Sequence, residues 1–308
     1  MPTERPHYVP QTYLRAWTPS TGSDRRLAYR RRNADAALLT STRNVAVACG
    51  IYGTGELGQA REESFQQLET EWPDLRDDLI AQGDLQGDRR QLLSVFMAVQ
   101  LTRTIKHTNT VMFLSDLVAT TSERPIPRSA VSEFLRTLDE MDPDEAEVEA
   151  ACQFVSGAPG GPALTRDEAL KMCATLALDI APRLEAKSWT VRRFRTPALW
   201  TNDCPVHTWR RPDPDGRVGG IGVDTADEIR FPLSPAALLV MTRPGKAPCN
   251  ASARQVNAEI ANQCQQFVVA TQDARAKLDS LAWSKPPPRL RFRIINGNLG
   301  EALHMYVG

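Results

Sequence analysis

Arg89-Arg90-Gln91-Leu92-Leu93-Ser94-Val95-Phe96-Met97-Ala98-Val99-Gln100-Leu101-Thr102-Arg103-Thr104-Ile105-Lys106-His107 decides how the first half of this 308-residue chain is read. Leu92, Leu93, Phe96, Met97, Leu101 and Ile105 recur at helical spacing, and that period predicts a core helix from Arg89 to His107, running on toward Ala119. A second row on it, Phe96, Gln100, Arg103 and His107, is mostly polar. A buried Gln or Arg costs several kcal/mol, about 2–7, unless it is paired. The row therefore implies one of two things: a polar notch lining a pocket, or a buried hydrogen-bond network tying two helices together.

Working outward, Leu57 to about Gln82 has a helical, acid-rich pattern, with Pro73 expected to kink or restart it. Its glutamates cannot share one face, so one of them, Glu62 or Glu69 beside Phe65 and Leu68, can point inward. Leu27–Arg32 reads as an exposed strand, and Val45–Ile51 as a strand with alternating β-branched residues, ended by Gly53-Thr54-Gly55. That glycine pair lacks the strand–helix fingerprint of a phosphate cradle. Downstream, Arg128–Glu140 and Pro143–Phe154 read as helices, the latter capped by Asp142. Ser156 to Pro162 is the clearest break, a soft boundary near 156–164 inside an otherwise single domain of 1–308. A capping box, Thr165 to Glu168, opens a helix to about Lys187. The last third changes period: Trp189–Phe194, Ala198–Thr201, Glu228–Phe231, Ala236–Met241 and Leu290–Ile295 read as strands, and Arg254–Ala270 as a helix starting near Asn250 or Ser252. The fold class is α+β, a mainly helical N-terminal half with a smaller, mostly antiparallel sheet in the C-terminal third.

Lys plus Arg and Asp plus Glu each number 37, and hydrophobic residues make up 42%. That balance argues against nucleic acid as a partner. No apolar run is long enough to span a membrane, and the opening Met-Pro-Thr-Glu-Arg has no signal core, so the expectation is a cytoplasmic protein. Six scattered cysteines form no Cys-x-x-Cys pair, and the four histidines (His7, His107, His207, His304) show no helical metal spacing.

The densest chemistry lies at the start, in His7-Tyr8-Val9-Pro10-Gln11-Thr12-Tyr13-Leu14-Arg15-Ala16-Trp17. Pro10 suits a first helical turn, so Pro10–Trp17 reads as a short helix with Gln11 and Arg15 on one face. This opening resembles a bacterial family of unknown-function domains that begin His-Tyr-Val-Pro-x-x-Tyr-Leu-Arg. The same family carries a Thr/Ser-x-Asp-x-Pro-Val step, matched by Thr201-Asn202-Asp203-Cys204-Pro205-Val206, and a Phe/Tyr-Pro-Leu-Ser-Pro strand, matched by Phe231-Pro232-Leu233-Ser234-Pro235. Cys204 departs from the more usual Asn.

The chain also resembles haem-dependent enzymes of D-cycloserine-type antibiotic biosynthesis, which oxidise N-hydroxy-L-arginine to hydroxyurea. That resemblance implies a haem b cofactor, with iron held by His7, the cofactor-binding set made of His7, Tyr8, Gln11 and Arg15, and the ring walled by Tyr8, Tyr13 and Trp17. Arg15 and Arg103 would meet the propionates, and Cys204 is a second candidate ligand. Gln100, Arg103 and Asp203 would form the catalytic set. Asp203, or else Glu69 or Glu63, would grip a guanidinium-like substrate; a plainer role for Asp203 is to cap backbone N–H groups in a turn. The rival expectation is a metal-dependent nuclease or hydrolase of a defence or toxin system, using His7, Glu63 or Glu69, Asp203, Gln100 and Arg103. A third alternative is a regulatory or binding module that uses the same polar pocket without chemistry. A small-molecule substrate is the expected partner, and homo-oligomerisation stays open.

Overall fold

The computed structural model describes residues 6–19, 25–53, 55–123, 127–139, 142–157, 162–212, 222–283, 290–297 and 300–307. It is an α+β protein. The chain clusters into two compact units, one of Met1–His107, Leu170–Arg210 and Ile221–Pro287, the other of Thr108–Ala169, Arg211–Gly220 and Pro288–Gly308. The stretch near 156–164, expected as a soft boundary within a single domain, falls inside the second unit, with 158–161 outside the described residues.

In the first unit, α1 (Gln11–Leu14) follows Pro10 and tightens at once into a 3₁₀ turn, Arg15–Trp17. Tyr13, Leu14 and Trp17 are buried in the main core. Val45–Ile51 is not a strand. Ala46 takes a left-handed φ of 58° and Gly50 turns at 61°, so the chain makes only a single bridge, His7 to Val47. A non-glycine residue in that region costs roughly 1–2 kcal/mol, offset here by the Tyr8 N–H bond to the Ala46 carbonyl at 2.9 Å. Helix α2 (Gly55–Gln82) continues through Pro73 without restarting.

The long helix expected from Arg89 divides. α3 (Gly87–Thr102) ends on Arg103, and α4 (Ile105–Glu123) begins after Thr104, whose hydroxyl accepts the His107 N–H at 3.1 Å. Thr104 thus supplies an N-cap where the apolar period alone shows no interruption. Helix α7 (Arg166–Glu185) opens on the Thr165–Glu168 capping box.

Two four-stranded antiparallel sheets complete the unit. One joins β1 (Arg26–Arg31), β2 (Leu38–Ser41), β4 (Thr201–Asn202) and β8 (Phe267–Ala270) in the order β2-β1-β8-β4. The other joins β3 (Ser188–Arg193), β5 (His207–Trp209), β6 (Glu228–Ser234) and β7 (Ala237–Thr242) in the order β3-β7-β6-β5. Strand β1 is paired on both edges and buried from Leu27 to Arg30, rather than exposed. The Arg30 guanidinium is spent on the carbonyls of Leu278, Asp279 and Leu281, at 2.5, 3.1 and 2.9 Å. The helix expected to run to Ala270 stops early: α8 (Ala253–Gln263), capped by Ser252, gives way to β8. The apolar Phe-Val-Val-Ala run is a strand because both its edges find partners, β1 and β4. A short α9 (Arg275–Asp279) follows.

In the second unit, α5 (Arg128–Asp139) and α6 (Glu145–Gly157) pack with the body of α4 around Leu117, Val131 and Val148. A hairpin of β9 (Leu290–Gly297) and β10 (Gly300–Val307), which carries His304, contacts α5. Among the described residues no helix is long and apolar enough to cross a membrane.

Candidate functional site

The three sequence motifs meet at one phenol. The Tyr13 hydroxyl shares a hydrogen bond of 2.7 Å with Thr201 Oγ1 and donates to the Pro232 carbonyl at 2.9 Å. Its ring stacks on Phe231, centroids 5.3 Å apart and planes 10° from parallel. Trp17 adds an indole N–H bond to the Leu199 carbonyl at 2.9 Å. The motifs thus form a structural latch joining the N-terminal turn to both sheets.

Asp203 belongs to the same framework. Its carboxylate oxygens accept the backbone N–H groups of Gln265 and Gln266, at 3.0 and 3.1 Å, and fix the turn between α8 and β8. Burial raises its carboxyl above the usual range, with those amide bonds pulling the other way. Asp203 therefore has the turn-capping role, and it is fully committed within the protein, not presented to a substrate guanidinium. Beside it, burial pushes the Cys204 and Cys264 thiols up. They are neutral thiols in this structure. His207 is buried, with Nδ1 against Gln263 Oε1 at 3.3 Å, and burial lowers it to about 4.

His7 sits differently from the expectation. Its Nε2 faces the Thr42 carbonyl at 3.3 Å and its Nδ1 faces the Gln11 amide nitrogen at 3.4 Å, while the Tyr52 hydroxyl donates to the His7 carbonyl. Burial lowers the imidazole below its ordinary value. Both ring nitrogens are thus turned to protein partners, where an axial iron ligand needs one of them open. The Tyr8 hydroxyl donates to Gln266 at 3.4 Å, and Arg15 is exposed. His7, the first candidate ligand, therefore does not suit a haem, both of its nitrogens being taken up within the protein. Among the described residues no group of three or more His, Cys, Asp and Glu side chains is placed to hold a metal ion, and none of the six cysteines forms a disulfide.

Gln100 and Arg103 are where the polar row becomes informative. Helices α2 and α3 run antiparallel, so Trp72 stacks on Phe96 at 4.6 Å while Glu69 meets Arg103 one helical repeat along, Oε1 to Nη1 at 2.7 Å. Phe65 lies 5.2 Å from the same guanidinium. Glu69 is the inward carboxylate of α2; Glu63 faces out and takes the Gln59 amide. Gln100, only 1% exposed, has no protein partner for either amide atom, and Arg103, 5% exposed, has none for Nε or Nη2. Trp72 Nε1 and His107 Nε2 are likewise buried and unpartnered. Native interiors leave few such groups.

Next to this row lies a cavity of about 290 Å³ between α2, α3 and α7. Its walls are mainly Phe65, Leu68, Val95, Val99, Leu170 and Ala177, with Tyr52, Arg61 and Arg103 also contributing. The space exists because α7 presents Cys173, Ala174 and Ala177 where larger side chains would fill it. Burial pushes the Tyr52 hydroxyl up to about 12, so it stays protonated. Of the residues expected at the site, Arg103 alone lines this cavity; His7, Tyr8, Gln11, Arg15, Gln100 and Asp203 do not. The α7 residues were invisible as site residues because small apolar side chains on a helix carry no chemical signal.

The fold and cavity define an α+β protein with an apolar, partly open cavity beside a partly buried ion pair. Residues 5–274 match the model of DUF4238, described as a protein of unknown function, and the chain belongs to that family. No curated protein and no solved structure matches it.

Proposed function

We propose that this protein binds a small, largely apolar molecule in the cavity between α2, α3 and α7. The observation that carries the reading is the cavity itself, about 290 Å³ with predominantly apolar walls. That volume is at the lower edge of the roughly 300–1,000 Å³ typical of small-ligand sites. Such sites combine apolar walls with a few polar groups that fix orientation, here Tyr52, Arg61 and Arg103. A cationic hydroxyguanidine, the substrate implied by the resemblance, is disfavoured: both charged side chains on the wall are arginines.

The test is a titration of the full chain with 1-octanol, followed by amide chemical shifts. Saturable shifts at Val95, Val99 and Ala177, abolished in Val99→Trp with the fold retained, are expected. Weak, unsaturable shifts scattered over the surface would overturn the assignment.

A further inference from the structure

We infer that the ligand of this chamber is an amphipathic acid, its apolar body in the cavity and its carboxylate on Arg103. The inference rests on the chamber being a binding site and adds the chemistry of the head group. Arg103 is fixed from one side only: Glu69 takes Nη1 at 2.7 Å and Phe65 lies 5.2 Å away. What remains without a protein partner is Nε and Nη2. Those two nitrogens share one edge of the guanidinium, and their N–H groups run parallel at the spacing of two carboxylate oxygens. A buried charged donor without an acceptor is costly, so an acceptor reaching that edge gains more than it would at the surface.

Charge points the same way. Two guanidinium side chains, Arg61 and Arg103, and no carboxylate stand among the lining residues. Arg61 is anchored through Nη1 to the Tyr52 carbonyl at 2.9 Å. Size limits the ligand. At roughly 30 Å³ per water-sized group, a cavity of about 290 Å³ takes a molecule as large as a medium-chain fatty acid. A cationic amine of the same length would offer no acceptor to the Nε–Nη2 edge of Arg103.

Octanoate, 1-octanol and octylamine, titrated separately into the full chain by calorimetry, decide it. Octanoate should bind saturably and at least tenfold tighter than either of the others, and Arg103→Lys should erase that preference, because an ammonium has no parallel N–H edge. If octanol binds as well as octanoate, the chamber stands and the acid assignment falls. If none of the three binds, both fall. A folded Arg103→Lys protein that keeps the tenfold preference would also overturn the role of Arg103. Should that variant fail to fold, the Arg103 side-chain Nε–H resonance of the unaltered protein serves instead. Octanoate must shift it well beyond the effect of octanol, and equal shifts would sink the proposal.

Discussion

Two regions of this molecule treat buried polar atoms in opposite ways. Around Tyr13, the phenol hydroxyl, the Thr201 hydroxyl and the Trp17 indole N–H all have partners at 2.7–2.9 Å. Around Arg103, three buried side chains, Trp72, Gln100 and Arg103, and the half-buried His107 keep buried polar atoms that no protein group answers. Satisfied networks specify a fold; unsatisfied ones are retained at a cost and mark where something other than the fold is being served. The family's sequence motifs coincide with the first region, so they report architecture. The proposed binding site borders the second, where sequence offers only a row of polar residues on an apolar helix.

Acid gives the largest expected effect on this contrast. His207 is buried with Nε2 unpartnered and is lowered to about 4, whereas the unfolded chain takes up its proton near 6.5. Between those values the unfolded state binds more protons, so stability falls as pH drops, by up to about 1.4 kcal/mol per pH unit and roughly 3 kcal/mol by pH 4. His7 and His107, also lowered by burial, act in the same direction. Asp203, whose carboxyl is raised, opposes the trend at its acid end. Urea unfolding at pH 7, 6, 5 and 4 should show the slope, and His207→Gln should flatten it. A pH-independent midpoint would remove His207 from the unsatisfied class.

The latch comes next. Tyr13→Phe keeps the stack on Phe231 and removes the hydroxyl, leaving Thr201 and the Pro232 carbonyl short of a partner. A loss of about 1–3 kcal/mol is expected in urea unfolding; a change below a few tenths would mean the latch is not what holds the motifs together. The smallest effect should come from Gln100→Met, which replaces an unpartnered amide by an apolar chain of similar size. Thermal unfolding is expected to be unchanged or raised, by up to about 1 kcal/mol in stability. A marked loss would show that Gln100 is satisfied in solution and that the two regions are more alike than their hydrogen bonds suggest.

The pattern of residues made the α+β class, the capping box at Thr165 and most strand positions legible. Failures had physical causes. Val45–Ile51 alternates like a strand but is broken by the positive φ of Ala46. Phe267–Ala270 continues a helical-looking apolar run, yet two distant strand edges convert it. Thr104 looks like one more helical residue until its hydroxyl caps the next helix. At the site, Arg103 was legible because a charge on an apolar stripe demands an explanation. The chamber was not, since it arises from small residues on α7 that meet α2 and α3 only after folding.

The placement of β8 between β1 and β4 also bears on how the chain is made. Ala28 waits for Ala270, about 240 residues further on. At a ribosomal rate of roughly 5–20 residues per second, one edge of the earliest strand stays open for on the order of 10–50 s, a template for adhesion between nascent chains. Yield in a cell should therefore depend on translation speed and on holdase chaperones, and a permuted gene that places 267–270 just ahead of Arg26 should relieve that dependence.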